Sequence, residues 1–180
     1  MLVLNGSSRD NGNTELLTKT MLAGIDYTTI NLREKTIQPI DDKRHAAGGF
    51  QPIDDDFDDV ITQVLQHDII VFATPLYWYG MSGLLKNFVD RWSQALRDSR
   101  YTFKEDMAKK EAYVVIAGGD NPRFKALPLI QQFQYVFGFV GTTFSGYLIG
   151  KGSMPGEVAN DQRAMADAQL LNQQFRNLLG

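Results

Sequence analysis

The 180 residues carry 18 basic and 21 acidic side chains, a formal charge of -3 at pH 7, and no cysteine. A chain of this length buries roughly 70% of its unfolded surface in one core, so residues 1–180 are expected to form a single domain. The missing basic excess sets nucleic acid aside as a partner, and the missing thiols remove disulfides, thiolate metal sites, iron–sulfur clusters and cysteine nucleophiles.

Met1 to Leu4 is a short apolar run ending at Asn5-Gly6, which predicts a strand buried on both faces. It is too brief for a secretory core, and no later run approaches the ~20 residues that span a bilayer. A soluble, cytoplasmic protein without a membrane partner is therefore expected. From Thr14 to Ala23, Leu17 and Met21 stand four apart and Leu16 and Ala23 widen the stripe, as on a surface helix with Gly24 as its C-cap. Tyr27 to Leu32 reads as a second, weaker strand. Asp58 to Gln66 predicts a helix, because Phe57, Val60, Ile61, Val64 and Leu65 fall at i, i+3, i+4, i+7 and i+8. Asp68 to Thr74 is the strongest strand, β-branched, uniformly apolar and stopped by Pro75.

The stripe Met81, Leu84, Leu85, Phe88, Val89, Trp92, Ala95 and Leu96 then predicts one helix of four turns. Ala112 to Ala117 is a fourth strand ending in Gly118-Gly119, a helix follows around Pro128 to Phe137, and Thr142 to Ile149 is a fifth strand. A last helix carries Ala164, Ala168, Leu171, Phe175 and Leu178. Apolar strands separated by amphipathic helices make βαβ units, hence a three-layer α/β/α sandwich around a five-stranded parallel sheet. In that architecture ligands sit outside the carboxyl ends of the strands, where strand order reverses.

Three strand ends carry suitable chemistry. After the first, Asn5 to Thr14 offers hydroxyls, an amide, one guanidinium and a helix amino terminus, a set suited to one phosphate dianion. No Gly-x-x-x-x-Gly-Lys-Ser/Thr supports a nucleoside triphosphate, and no Gly-x-Gly-x-x-Gly supports a pyrophosphate. The same residues also suit a polar turn without ligand, and Glu15 would oppose a phosphate if it pointed inward. After the third strand, Pro75-Leu76-Tyr77-Trp78-Tyr79 sets three aromatics on a proline-stiffened loop, fit to stack on a planar ring or to cover a subunit interface. After the fourth, Gly118-Gly119-Asp120-Asn121 either lets backbone approach a ligand closely or simply turns. What favours a ligand is convergence, since all three loops meet at one edge of a doubly wound sheet.

Those residues carry a resemblance. Asn5-Gly6-Ser7-Ser8-Arg9 with Gly12-Asn13-Thr14, Ala73 to Trp78 running on to Leu85-Lys86-Asn87-Phe88-Val89-Asp90-Arg91, and Gly118-Gly119 resemble the NAD(P)H-dependent FMN reductase family of the flavodoxin-like fold. The resemblance covers most of the chain, and its middle stretch is the most specific. It implies strand order 2-1-3-4-5, one FMN per site, a homodimer with the flavin near the interface, and hydride passing from NAD(P)H through FMN to a small acceptor: a quinone, an azo or nitro compound, or free flavin. Carried over residue by residue, the phosphate loop falls on Ser7, Arg9, Asn13 and Thr14, and the ring loops on Pro75, Leu76, Tyr77, Trp78, Gly118, Gly119 and Asp120. Some relatives carry cysteines between the second strand and second helix, where this chain has none, and Ser8 stands where many have proline.

Hydride transfer to flavin needs orientation and exclusion of water rather than a protein nucleophile, so no catalytic side chain and no metal are assigned. His67 fits a helix end, and His45 lies in the long 33–53 connection, a candidate lid or an ordered dimer flap. Asp54-Asp55-Asp56-Phe57-Asp58-Asp59 reads as helix capping, and Lys86 with Asp90 as a surface pair. The alternatives are a flavodoxin-type electron carrier, a non-catalytic binding module with an aromatic interface and, more distantly, a serine hydrolase using Ser7, which lacks a Gly-x-Ser-x-Gly elbow.

Overall fold

A computed structural model describes residues 1–179. Strands β1 (Leu2–Asn5), β2 (Thr28–Asn31), β3 (Ile69–Pro75), β4 (Glu111–Gly118) and β5 (Thr143–Lys151) form one sheet in the order β2-β1-β3-β4-β5, every pair parallel. The helices are α1 (Asn13–Met21), α2 (Phe57–Gln66), α3 (Gly83–Asp90), α4 (Trp92–Ala95), α5 (Phe103–Met107), α6 (Pro122–Lys125), α7 (Leu127–Val140) and α8 (Gln162–Leu179). No helix of the described residues is long and apolar enough to cross a membrane.

The alternation of side chains along a strand divides the core in two. Leu2, Leu4, Ile70, Phe72, Val114 and Ile116 pack against α2 to α5 and α7. Val3, Val71, Ala73, Val115 and Leu148, the residues between or beside them, pack against α1 and α8. The three layers follow, with the order reversing between β1 and β3 and leaving a crevice at their carboxyl ends.

Several local expectations are corrected. The predicted four-turn helix is two helices, and it starts at Gly83, where Ser82 accepts the Leu85 N–H. It breaks at Arg91, whose side chain is 1% exposed and donates to Asp55, Gln94 Oε1 and the Gln38 carbonyl while lying over the Phe57 ring. The C-cap of α1 is Leu22 rather than Gly24, which instead takes the left-handed turn beyond it. The short helices α5 and α6, too brief for a periodic stripe, were not predicted. Leu178 is exposed, so the α8 stripe stops at Phe175.

The Asp56 side chain does not cap α2, whereas Asp55 accepts the first N–H of the helix, that of Phe57, at 3.1 Å. Asp56 accepts the Thr36 N–H at 2.7 Å and pairs with Lys35, while Asp55 accepts the Gln38 and Phe57 N–H groups and Arg91. A buried guanidinium needs a buried counter-charge, which outweighs any interaction with the helix dipole. Asp58 and Asp59 remain in the first turn, where they complement the dipole. His67 closes α2 with its Nδ1 2.7 Å from the Gln63 carbonyl, and Lys86 pairs with Asp90 at 2.7 Å.

Candidate functional site

The loop after β1 folds on itself. Ser7 is buried, its N–H donates to Asn5 Oδ1, and its hydroxyl donates to the Arg9 carbonyl while accepting the Arg9 N–H. Gly12 is the N-cap residue of α1, and no side chain caps that helix. The first helical bond runs from Leu16 N–H to the Gly12 carbonyl, so the N–H groups of the first turn are left to the crevice, where the dipole favours an anion. Glu15 points elsewhere, accepting the Asn11 N–H and pairing with Lys19 at 2.7 Å. The Arg9 guanidinium has neither an ion-pair nor a hydrogen-bond partner among the described residues, although Arg33 and Asp10 pair beside it.

The loop after β3 is a small hairpin. Tyr77 and Gly80 exchange two backbone hydrogen bonds, of 3.1 and 2.9 Å, around Trp78 and Tyr79. Its base is held by the Ser82 N–H donating to Thr74 Oγ1 and the Leu76 N–H donating to the Ala117 carbonyl. The Tyr77 and Ser8 hydroxyls lie 3.1 Å apart, tying the hairpin to the first loop.

These loops enclose one cavity of about 260 Å³. Its lining includes Ser7, Arg9, Asn13, Thr14, Pro75, Leu76, Tyr77, Gly118 and Gly119, the predicted residues that the fold brings together. Trp78 and Asp120 stand outside it: Trp78 is 96% exposed at the hairpin tip, and Asp120 is engaged by Tyr79 and Lys125. The 33–53 segment contributes no lining residue; Gly48 to Pro52 border Gln94 to Arg100 instead.

Missing from the prediction are Gly12, Ala117 and the loop after β5, which supplies Gly152, Ser153 and Pro155. That loop is held by Asn13, whose Nδ2 donates to the Met154 carbonyl and whose Oδ1 accepts the Val158 N–H. Gly152 has no alternative there, since a Cβ would fall 2.8 Å from both Asn13 Nδ2 and the Val158 nitrogen. A glycine at the carboxyl end of a strand was the available signal, as it was for Gly118.

The cavity has the character a flavin monophosphate requires. Helix N–H groups, hydroxyls and an unpaired guanidinium come from the β1 loop, and apolar or backbone surface comes from the β3 and β4 loops. A larger groove of about 850 Å³ between Tyr79 and Gln134 is mostly apolar apart from Lys125 and two glutamines, is more open, and offers no comparable anion donors.

A family model described as flavodoxin-like fold matches residues 1–174. Over 170 residues the chain is 51% identical to YwqN of Bacillus subtilis strain 168, provisionally named an NAD(P)H-dependent FMN-containing oxidoreductase, with 94% of each protein covered. A solved structure of the Trp repressor binding protein from Bacillus subtilis superposes with a TM-score of 0.80 at 43% identity, over 94% of this chain and 96% of that one. An FMN-dependent NADH-azoreductase from Bacillus anthracis, solved with FMN, shares the fold at a TM-score of 0.68 and 16% identity, over 97% of this chain and 98% of that one.

Proposed function

The chain belongs to the flavodoxin-like fold family, and from that membership we propose that it is an FMN-dependent NAD(P)H oxidoreductase acting on a small planar acceptor: a quinone, an azo or nitro compound, or free flavin. The observation that carries this reading is the cavity at the carboxyl ends of β1, β3, β4 and β5, where anion donors meet the apolar side chains of Pro75, Leu76 and Tyr77 and the backbone of Gly118 and Gly119. When bound, FMN would supply the hydride chemistry between NAD(P)H and the acceptor.

The protein's part is binding, orientation and shielding. Arg9, Thr14 and the first-turn N–H groups of α1 would hold the phosphate, while Ser7, bonded to Asn5 and to the Arg9 backbone, shapes the loop that presents them. Pro75, Leu76 and Tyr77 flank the ring system, and Gly118 and Gly119 allow backbone to approach it. No side chain is needed as nucleophile or base, which suits a cavity without histidine or carboxylate in its lining.

Titration of the purified protein with FMN tests the reading, followed by steady-state oxidation of NADH and NADPH with each acceptor class. Saturable flavin binding and acceptor-dependent turnover are expected; a protein that binds no FMN refutes it. Flavin binding without NAD(P)H oxidation would instead identify an electron carrier. Assembly as a homodimer is part of the proposal, supported by exposed Leu127, Tyr135 and Phe139 along α7.

A further inference from the structure

Trp78 and Tyr79 have φ of 47° and 63°, the left-handed region that bulky side chains avoid. Two such residues in succession carry the φ signature of a type I′ turn, a position that favours Asn-Gly rather than two aromatics. Strain of this kind persists only where the surroundings over-determine it, and it gathers at ligand clamps. The backbone bonds between Tyr77 and Gly80 close the turn, but they lie within the hairpin and do not fix its tilt against the rest of the molecule.

Beyond the bonds at its base and the Ser8–Tyr77 contact, a carboxylate from another loop restrains the tip of the hairpin. Asp120 Oδ2 accepts the Tyr79 hydroxyl at 3.0 Å and also the Lys125 ammonium, which lies 5.4 Å from the Tyr79 ring centroid. Asp120 follows β4 and Tyr79 follows β3, so this contact spans the two loops whose Leu76, Tyr77, Gly118 and Gly119 line the cavity. The loops already touch at their bases: a Cβ on Gly118 would come 3.0 Å from Leu76 Cβ.

We propose that Asp120 is a positioning residue, latching the aromatic hairpin to the β4 loop and so holding the two cavity walls at the spacing that admits a flavin. The proposal rests on the flavin reading above. Asp120 is exposed, and exposed ion pairs add little to global stability, so the latch acts on local order rather than on folding.

The test compares wild type, Asp120→Ala and Asp120→Asn by backbone ¹⁵N relaxation without flavin, by FMN titration, and by urea midpoint. In Asp120→Ala, the order parameters of Trp78 and Tyr79 should fall from about 0.85 to below about 0.6. The FMN dissociation constant should rise about three- to tenfold while the midpoint stays put. Asp120→Asn keeps an acceptor for Tyr79 and should restore most of both. Unchanged hairpin mobility in Asp120→Ala overturns the proposal, as does a looser hairpin with wild-type affinity. Weaker affinity with unchanged mobility also overturns it, because Asp120 would then act by direct contact. Failure of the wild type to bind FMN would overturn the functional reading and the flavin half of this one, while the relaxation data, taken without flavin, judge the latch alone.

Discussion

The Ser8 hydroxyl lies 3.1 Å from the Tyr77 hydroxyl, bridging the loops after β1 and β3 across the mouth of the cavity. An exposed neutral hydrogen bond is worth little, at the lower end of roughly 0.5–1.5 kcal/mol. Ser8→Ala and Tyr77→Phe should each weaken FMN about two- to fivefold. The double variant should be no weaker than either alone, because one shared bond is lost. Additive losses in fluorescence titrations would show that the two hydroxyls act independently.

Arg9 offers the cavity an unpaired guanidinium. A hydrogen bond to a charged group is worth roughly 1.5–3 kcal/mol, so Arg9→Ala should weaken FMN about ten- to a hundredfold. Riboflavin, which lacks the phosphate, should bind both proteins equally. An equal loss for the two flavins would place Arg9 away from the phosphate.

The Arg91–Asp55 pair is buried, with both side chains 1% exposed. Burial pushes the Asp55 carboxyl up, but the Arg91 guanidinium and the Gln38 and Phe57 N–H groups outweigh it and hold it below the ordinary carboxylate range. A depressed folded pKa stabilises above the unfolded value of about 3.9 and is lost as pH falls through the folded one. Stability should therefore decline below about pH 4. Asp55→Asn leaves a buried cation unpaired and should cost about 3–5 kcal/mol at neutral pH, while flattening part of the acid slope. Urea unfolding at several pH values checks both, and a wild-type midpoint at pH 7 would refute the assignment.

Along α7, Leu127, Gln131, Tyr135 and Phe139 recur every fourth residue, and three of these four are exposed apolar or aromatic side chains. Sedimentation velocity should give twice the 20.2 kDa chain mass for wild type and a single chain for Tyr135→Lys combined with Phe139→Lys. A wild-type monomer at micromolar concentration would rule out this face as the dimer contact.

Local pattern was enough for the sheet. Short apolar runs and helical stripes in alternation point to a parallel sheet with both faces covered, and the strand order that the family resemblance implied directs the β1, β3 and β4 loops to one crevice. Ser7, Arg9, Leu76 and Gly118 were legible because each stands within a few residues of a strand end, and Thr14 because it opens the first helix.

What tertiary structure decided depends on partners far away in sequence. The break at Arg91 interrupts an unbroken apolar stripe, because its guanidinium is satisfied by Asp55, 36 residues earlier. The β5 loop joins the cavity through Asn13, 145 residues from Val158. Trp78 and Tyr79 take a backbone conformation that their own propensities oppose, and the Tyr79 hydroxyl donates to Asp120, 41 residues away. Hydrophobic periodicity reports which face of an element is buried. Paired charges and strained turns exist only once folding has brought their partners together, so no local window contains them.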